Sequence, residues 1–207
     1  MRYGVYLVKT PAAFKSLASS LLWHMPRDQK KLYLTFDDGP HPESTSFVLD
    51  TLESHGAKAT FFCIGGNAAK YPELYHRIAA QGHRTGNHTW NHMNGWEFSQ
   101  YSYLRSALEC AAVVKSNLFR PPYGRITKGQ TNALLSRFRI VMWDVLSADW
   151  DQRVAPEKCM ANVVRNAREG SIVVFHDSAK AFRNVSYALP RVLRHFAEAG
   201  YQFCSLP

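Results

Sequence analysis

Two adjacent carboxylates, Asp37-Asp38, end the run Leu32-Tyr-Leu-Thr-Phe36. Leu32, Leu34 and Phe36 alternate with Tyr33 and Thr35, the pattern of a buried strand, and Gly39-Pro40 turns the chain away. Neighbouring side chains in a strand point to opposite sides. One carboxylate can therefore bind a cation while the other stays free. Further on, His88-Thr-Trp-Asn-His92 places two imidazoles four residues apart. On a helical turn that spacing puts both rings on one face, close enough for one metal ion. Each feature alone has a plain reading: a solvated Asp-Gly turn, and two unrelated surface histidines. Together, Asp38, His88 and His92 make the three-ligand set that a catalytic zinc uses, with a position left for water. The ion expected is Zn2+, with Co2+ or another divalent ion as options.

Water on such an ion ionises near neutral pH, and hydrolysis then needs a base and an acid. Asp37 lies beside Asp38 and is within reach as the base. His176 ends the apolar run Ile172-Val-Val-Phe175 and can present its ring to the same place. Its plain reading is a structural histidine bonded to Asp177. Arg120 precedes Pro121-Pro-Tyr-Gly124. It can hold Asp37 ionised, since a nearby cation favours the charged carboxylate, or form an ordinary ion pair. The Pro-Pro-Tyr-Gly loop is rigid, and its backbone N–H groups can face an oxyanion.

The elements that must position these groups alternate. Strand 32–36 precedes a helix over 42–55, strand 59–64, a helix over 72–81 and a short strand near 83–86. A helix over 101–116 leads to Leu118-Phe119-Arg120. A helix over 127–136, a strand over 139–145, a helix over 156–168, a strand over 171–175, a helix over 185–199 and a last strand over 201–204 follow. Strands alternating with helices through short loops specify a parallel α/β sheet. About seven such units are present, and right-handed crossovers allow closure into a barrel. Ligands of such folds lie at the carboxyl ends of the strands. Those ends read Asp37-Asp38, Gly65-Gly66-Asn67, Asn87-His88, Arg120, 144–150 and His176-Asp177. Packing alone does not place a chemically capable residue at nearly every strand end.

The 207 residues are 46% hydrophobic with five Trp, enough for one large domain. The formal net charge of +9 suits contact with polyanions. The charge is scattered and no nucleic-acid-binding motif accompanies it, so nucleic acid is not an expected partner. Cys63, Cys110, Cys159 and Cys204 are widely spaced in apolar segments and read as buried thiols. No apolar run reaches the length of a bilayer helix. Lys9 and Lys15 interrupt any signal-peptide core, which points to the cytoplasm. Residues 1–31 are the least legible: a short strand or an exposed hydrophobic tail near 3–8, then a helix over 12–23 with an apolar face that could touch a membrane or a partner. The domain proper is read as 32–207.

Thr35-Phe-Asp-Asp-Gly-Pro40, His88-Thr-Trp-Asn-His92, Arg120-Pro-Pro-Tyr-Gly124, Asp149-Trp150 and Val174-Phe-His-Asp177 resemble, in this order, the motifs of polysaccharide deacetylases. These are the NodB-homology domains of carbohydrate esterase family 4, and the match spans about residues 30–207. The resemblance implies a distorted (β/α)7 barrel and metal-dependent removal of acetyl groups, typically from N-acetylated sugars. It implies Asp37 as base, Asp38, His88 and His92 as metal ligands, and His176 as the acid that protonates the departing amine. Arg120 would hold Asp37, Tyr123 would contribute its backbone to the oxyanion site, and Trp150 would line the acetyl pocket. The family often acts in the cell envelope or outside the cell.

There are two departures. Many members carry an Asp four positions before the fourth-motif Trp, tuning the catalytic His, and here that position is Leu146. The carboxylate is then missing, or supplied by Asp144, Asp149 or Asp177. Phe175 stands where Leu is common and is expected to narrow the acetyl pocket. An O-acetyl glycan esterase and a carbohydrate-binding protein with a vestigial site remain as alternatives. Trp90, Trp96, Tyr101 and Tyr103 are candidates for stacking on sugar rings or for the core.

Overall fold

The computed structural model describes residues 7–207. Its first half comprises α1 (Ala12–Leu17), β1 (Lys31–Asp37), α2 (Pro42–Ser54), β2 (Thr60–Cys63), α3 (Gly65–Lys70), α4 (Pro72–Ala80), β3 (Arg84–Asn87) and α5 (Gln100–Val113). The second half comprises β4 (Leu118–Phe119), α6 (Lys128–Leu135), β5 (Arg139–Ile140), β6 (Val145–Leu146), α7 (Pro156–Asn166), β7 (Ile172–His176), α8 (Phe182–Glu198) and β8 (Gln202–Phe203). From residue 42 onward the expected helices are found in place, with ends shifted by a few residues. Their ends are set by local chemistry, as in α6, where Thr127 and Gln130 form a reciprocal capping box. The short α3 was not expected, because Gly65-Gly66-Asn67 carries turn residues rather than a helical period.

The strands pair in the order β5-β4-β3-β2-β1-β7-β6, with β8 added on β1. Every named pair is parallel. Only residues 141–144 separate β5 from β6. One extended run thus pairs β4 at its start and β7 at its end, and it joins the two edges of the curled sheet into a distorted barrel.

Period-two alternation divides β1 between two environments. Leu32, Leu34 and Phe36 face outward into the main core, against Val48, Leu49 and Leu52 of α2 and Val185 and Leu189 of α8. Burying each such side chain contributes about 1.5–3 kcal/mol. Tyr33, Thr35 and Asp37 face the barrel interior. There Tyr33, Phe62, Leu118, Val141 and Ile172 form an apolar layer.

Residues 7–31 are part of this body. The short strand expected near 3–8 falls largely outside the described residues. The helix expected over 12–23 is only α1, since none of its residues is buried. The chain instead runs beside the β5–β6 seam: Lys9 bridges Val145, Leu22 bridges Val141 and His24 bridges Ser171. Leu22 and Met25 cover the interior apolar layer. Gly170, at φ 69°, lets Met25 pass; a Cβ there would lie 2.3 Å from the Met25 carbonyl oxygen. Fully buried Asp144 pins the segment, accepting from Lys9 at 2.7 Å, from Arg27 at 3.2 Å and from Lys15. Ser171 Oγ donates to the same carboxylate at 2.6 Å. Burial opposes charge on Asp144, but Lys15, Lys9 and Ser171 together hold it well below the usual carboxylate range.

Candidate active site

The site is assembled at the carboxyl ends of the strands. β1 and β7 are adjacent, with Asp37 in register with His176. Asp38 follows β1 in the left-handed region, φ 81°, which turns its side chain out of the strand alternation. Gly39 is needed for the same turn: a Cβ there would lie 1.9 Å from Asp177 Oδ2. Asp177 accepts from the Gly39 N–H at 3.0 Å and from Thr45 Oγ1 at 2.6 Å. Its carboxyl is buried, which raises it to about 7.

His88 and His92 do converge on Asp38, but not on a helical turn. The segment after β3 is irregular, with Thr89 at φ 61° and His92 at φ 56°. Backbone strain of this kind persists where surrounding contacts impose it, and it clusters at functional sites. His92 Nε2 lies 3.1 Å and His88 Nε2 3.7 Å from Asp38 Oδ1. One ligand atom from each of the three residues lies within 4.8 Å of the others. Each ring is fixed through its far nitrogen, His88 Nδ1 to the Arg120 carbonyl at 2.8 Å and His92 Nδ1 to the Tyr123 hydroxyl at 3.1 Å. That arrangement leaves Nε2 as the ligating atom in both. Burial lowers His88 to about 4, so its ring is neutral at neutral pH. Burial works against charge on Asp38, yet His92, His176 and His88 hold it well below the usual carboxylate range. Asp38 Oδ1 is buried and has no partner with hydrogen-bond geometry among the described residues. An anionic oxygen without a hydrogen-bonding partner, facing two imidazole Nε2 atoms, fits a divalent cation.

Arg120 crosses the barrel interior and is fully buried. Nη1 donates to Asp37 Oδ1 and to Thr35 Oγ1, both at 2.7 Å, and Nη2 donates to the Met142 carbonyl at 2.9 Å. The guanidinium lies 4.1 Å from the Phe62 ring centre. Asp37 is thus held by a charge-assisted bond inside the barrel, with its other oxygen left available.

His176 is oriented by Asp149, one of the three carboxylates open from the sequence. Asp149 Oδ1 lies 2.8 Å from His176 Nδ1, and Oδ2 accepts from the His176 backbone N–H at 2.7 Å. Asp144 and Asp177 serve elsewhere. Burial disfavours the imidazolium, but Asp149, then Asp38 and Asp37, outweigh it and raise His176 to about 9. The Trp150 ring packs 5.0 Å from that of His176. The Tyr123 ring lies 4.5 Å from His92, and its backbone is left-handed at φ 60°.

Other expectations change. Phe175 does not face this mouth: its ring is fully buried on the helical side of the sheet, 6.0 Å from Phe36. It follows the alternation that sends His176 inward and its neighbour outward. Tyr103 is buried against Phe119, and Trp90 packs on the main core, so neither offers a face to a sugar. Trp96 and Tyr101 are exposed. All four cysteines are free thiols. Asn67, which pattern alone places only at a strand end, donates through Nδ2 to the Asp38 carbonyl at 2.8 Å and braces the turn.

Comparison with known proteins agrees with this geometry. The polysaccharide deacetylase family pattern matches residues 24–137. A peptidoglycan-N-acetylglucosamine deacetylase of Bacillus cereus is 34% identical over 190 residues, 88% of this chain and 69% of that protein. A chitooligosaccharide deacetylase of Azorhizobium caulinodans is 37% identical over 162 residues, 73% of this chain and 75% of that protein. The crystal structure of the Bc1960 peptidoglycan N-acetylglucosamine deacetylase superimposes with a TM-score of 0.88 at 31% identity, covering 96% of this chain and 95% of that one. The matched span includes the Asp37-Asp38 turn, both histidines and Arg120, and on this footing the chain belongs to the polysaccharide deacetylase family.

Proposed function

We propose that this chain is a metal-dependent hydrolase that removes N-acetyl groups from an acetylated amino-sugar glycan, with peptidoglycan the first candidate. The observation that carries the reading is the placement of two differently partnered groups around one Asp-His-His set: Asp37 held by Arg120, and His176 held by Asp149. Asp38, His88 and His92 would hold the ion, zinc by the chemistry of the donors. When bound, the ion supplies Lewis acidity toward the acetyl carbonyl and acidifies water.

The chain's own groups then divide the proton work. Asp37 takes a proton from the attacking water, and Arg120 holds its carboxylate in place. His176 is protonated at neutral pH and gives its proton to the amine nitrogen as the C–N bond breaks. Asp149 sustains that imidazolium. The Tyr123 backbone N–H is assigned to the developing oxyanion, and Trp150 to the wall beside His176. Acetate and a free amino sugar leave.

A vestigial, binding-only site fits less well, because Asp149 supplies the carboxylate missing at Leu146. The test is acetate release from N-acetylglucosamine oligomers, peptidoglycan and acetylated xylan, using protein stripped of metal and then reloaded with zinc. Zinc-restored release from the N-acetylated substrates is the expected result. Release from the xylan alone would make it an O-acetyl esterase, and glycan binding without release would overturn the enzymatic reading.

A further inference from the structure

The end of the barrel opposite the active site has its own chemistry. Because all strands are parallel, their amino ends share one face, and a cation stands at five of the eight, those of β1, β2, β3, β5 and β7. Lys30 and Lys31 open β1, Lys58 precedes β2, Arg84 begins β3, Arg139 begins β5 and Arg168 precedes β7. Among the described residues none of them has a carboxylate within ion-pair distance. Their partners are neutral: Lys30 donates to the Ala199 carbonyl, Lys58 to the Gln81 carbonyl and Arg84 to Asn117 Oδ1. Glu169, whose charge is felt by Lys30 and Arg168, is engaged by the Tyr201 hydroxyl at 2.6 Å. Asp28, Glu53 and Glu198 share this end and pair with none of these cations.

Close to the amino ends of β6 and β7 the chain also exposes apolar side chains. α1 is held to the amino ends of β6 and β7 through Lys15 and Asp144. Its Phe14 is 58% and its Leu17 87% exposed. Phe14 and Leu17 stand one turn apart on α1 and form a small apolar projection, with the basic cluster Lys9, Lys15 and Arg27 gathered on Asp144 at its base. No helix among the described residues is long and apolar enough to cross a membrane.

We infer that this face docks on an anionic lipid surface, with Phe14 and Leu17 entering the headgroup region and the ring of cations meeting lipid phosphates and carboxylates. The combination selects the occupant. Cations alone suit any polyanion, and a lone apolar patch suits a protein, whereas shallow insertion plus a cluster of basic residues is the two-signal requirement for stable attachment to a bilayer. Docked this way, the barrel axis stands away from the lipid and the catalytic mouth opens on the far side.

The test is co-sedimentation of the full, zinc-loaded chain with vesicles of phosphatidylglycerol and phosphatidylcholine against vesicles of phosphatidylcholine alone. Binding to the anionic vesicles only is expected. Lys30→Gln with Lys31→Gln should weaken it about fivefold per cation. Phe14→Ser with Leu17→Ser should weaken it about tenfold at unchanged charge. Phe14, Leu17 and Lys30 are exposed and Lys31 half-buried, and an unchanged melting temperature verifies the fold of each variant. Failure to bind anionic vesicles would overturn the proposal. So would undiminished binding by the Phe14/Leu17 variant together with full displacement by soluble polyphosphate, which would make the face a polyelectrolyte site. Full binding by the lysine variant would likewise reject the role of the basic ring.

Discussion

Asp149 holds His176 twice, through the ring Nδ1 at 2.8 Å and through the backbone N–H at 2.7 Å. The second contact matters as much as the first. It fixes the end of β7 to the loop after β6 and so anchors the backbone from which the ring projects. The first decides charge, and it is the larger of the favourable influences that raise His176 to about 9.

That relationship predicts a pH effect with a defined sign. An acid must be protonated to act, so activity falls as pH rises through the His176 value. Asp149→Asn keeps the shape but removes the anion that favours imidazolium. The high-pH limb of kcat should then move to lower pH by about one unit or more. Profiles of both proteins, each loaded with zinc, check this. An unmoved limb would assign that limb to another group.

The Asp37–Arg120 pair predicts a stability effect. Both side chains are buried, so removing the cation strands a carboxylate inside the barrel. Arg120→Met should cost about 3–5 kcal/mol in urea denaturation. Replacing both partners, by Asp37→Leu with Arg120→Met, should cost less than that single change. A double variant as unstable as the sum of two single variants would show the pair to be energetically independent.

Zinc should stabilise the fold through Asp38, His88 and His92. At zinc one hundredfold above its dissociation constant, linkage gives about 2.7 kcal/mol. For a chain of this size that is a rise of about 5–10 °C in Tm. Asp38→Ala or His92→Ala should abolish the rise, whereas Asp37→Asn should keep it and lose most turnover. Scanning calorimetry with and without zinc separates these outcomes.

Asp144 should govern the amino-terminal segment. Asp144→Ala removes the anion shared by Lys9, Lys15 and Arg27 and leaves their charges together at a partly buried place. We expect a loss of about 3–5 kcal/mol and new proteolytic cleavage within residues 7–27. Cleavage unchanged from the parent protein would show that backbone pairing alone holds the segment.

Much of the site was legible because chemistry at strand ends is written locally. Asp37-Asp38 and His176 close apolar runs, and a parallel sheet brings such ends together whatever the details of packing. Two things were hidden. Which carboxylate serves His176 depends on how β6 and β7 stagger, and Asp144, Asp149 and Asp177 all stand near strand ends. The conformation around His88–His92 also lay outside pattern reasoning, since left-handed Thr89 and His92 follow from tertiary contacts rather than residue preference. Phe175 was misplaced for a plainer reason: its inward neighbour His176 dictates that it faces out. The role of residues 7–31 escaped because its anchors lie far along the chain, Lys9 and Lys15 reaching Asp144 across more than a hundred residues.

The seam between β5 and β6 sets where this protein can be cut. Hydrophobic alternation begins at Leu32, and a fragment starting there would look like an intact domain on paper. It would nevertheless lack Leu22 and Met25 over the interior layer, and it would expose the backbone groups of residues 139–146 that the segment now pairs. An open strand edge beside uncovered apolar side chains is a template for a second chain. Shortened versions of this protein would therefore tend toward strand exchange and aggregation, with every catalytic residue still present.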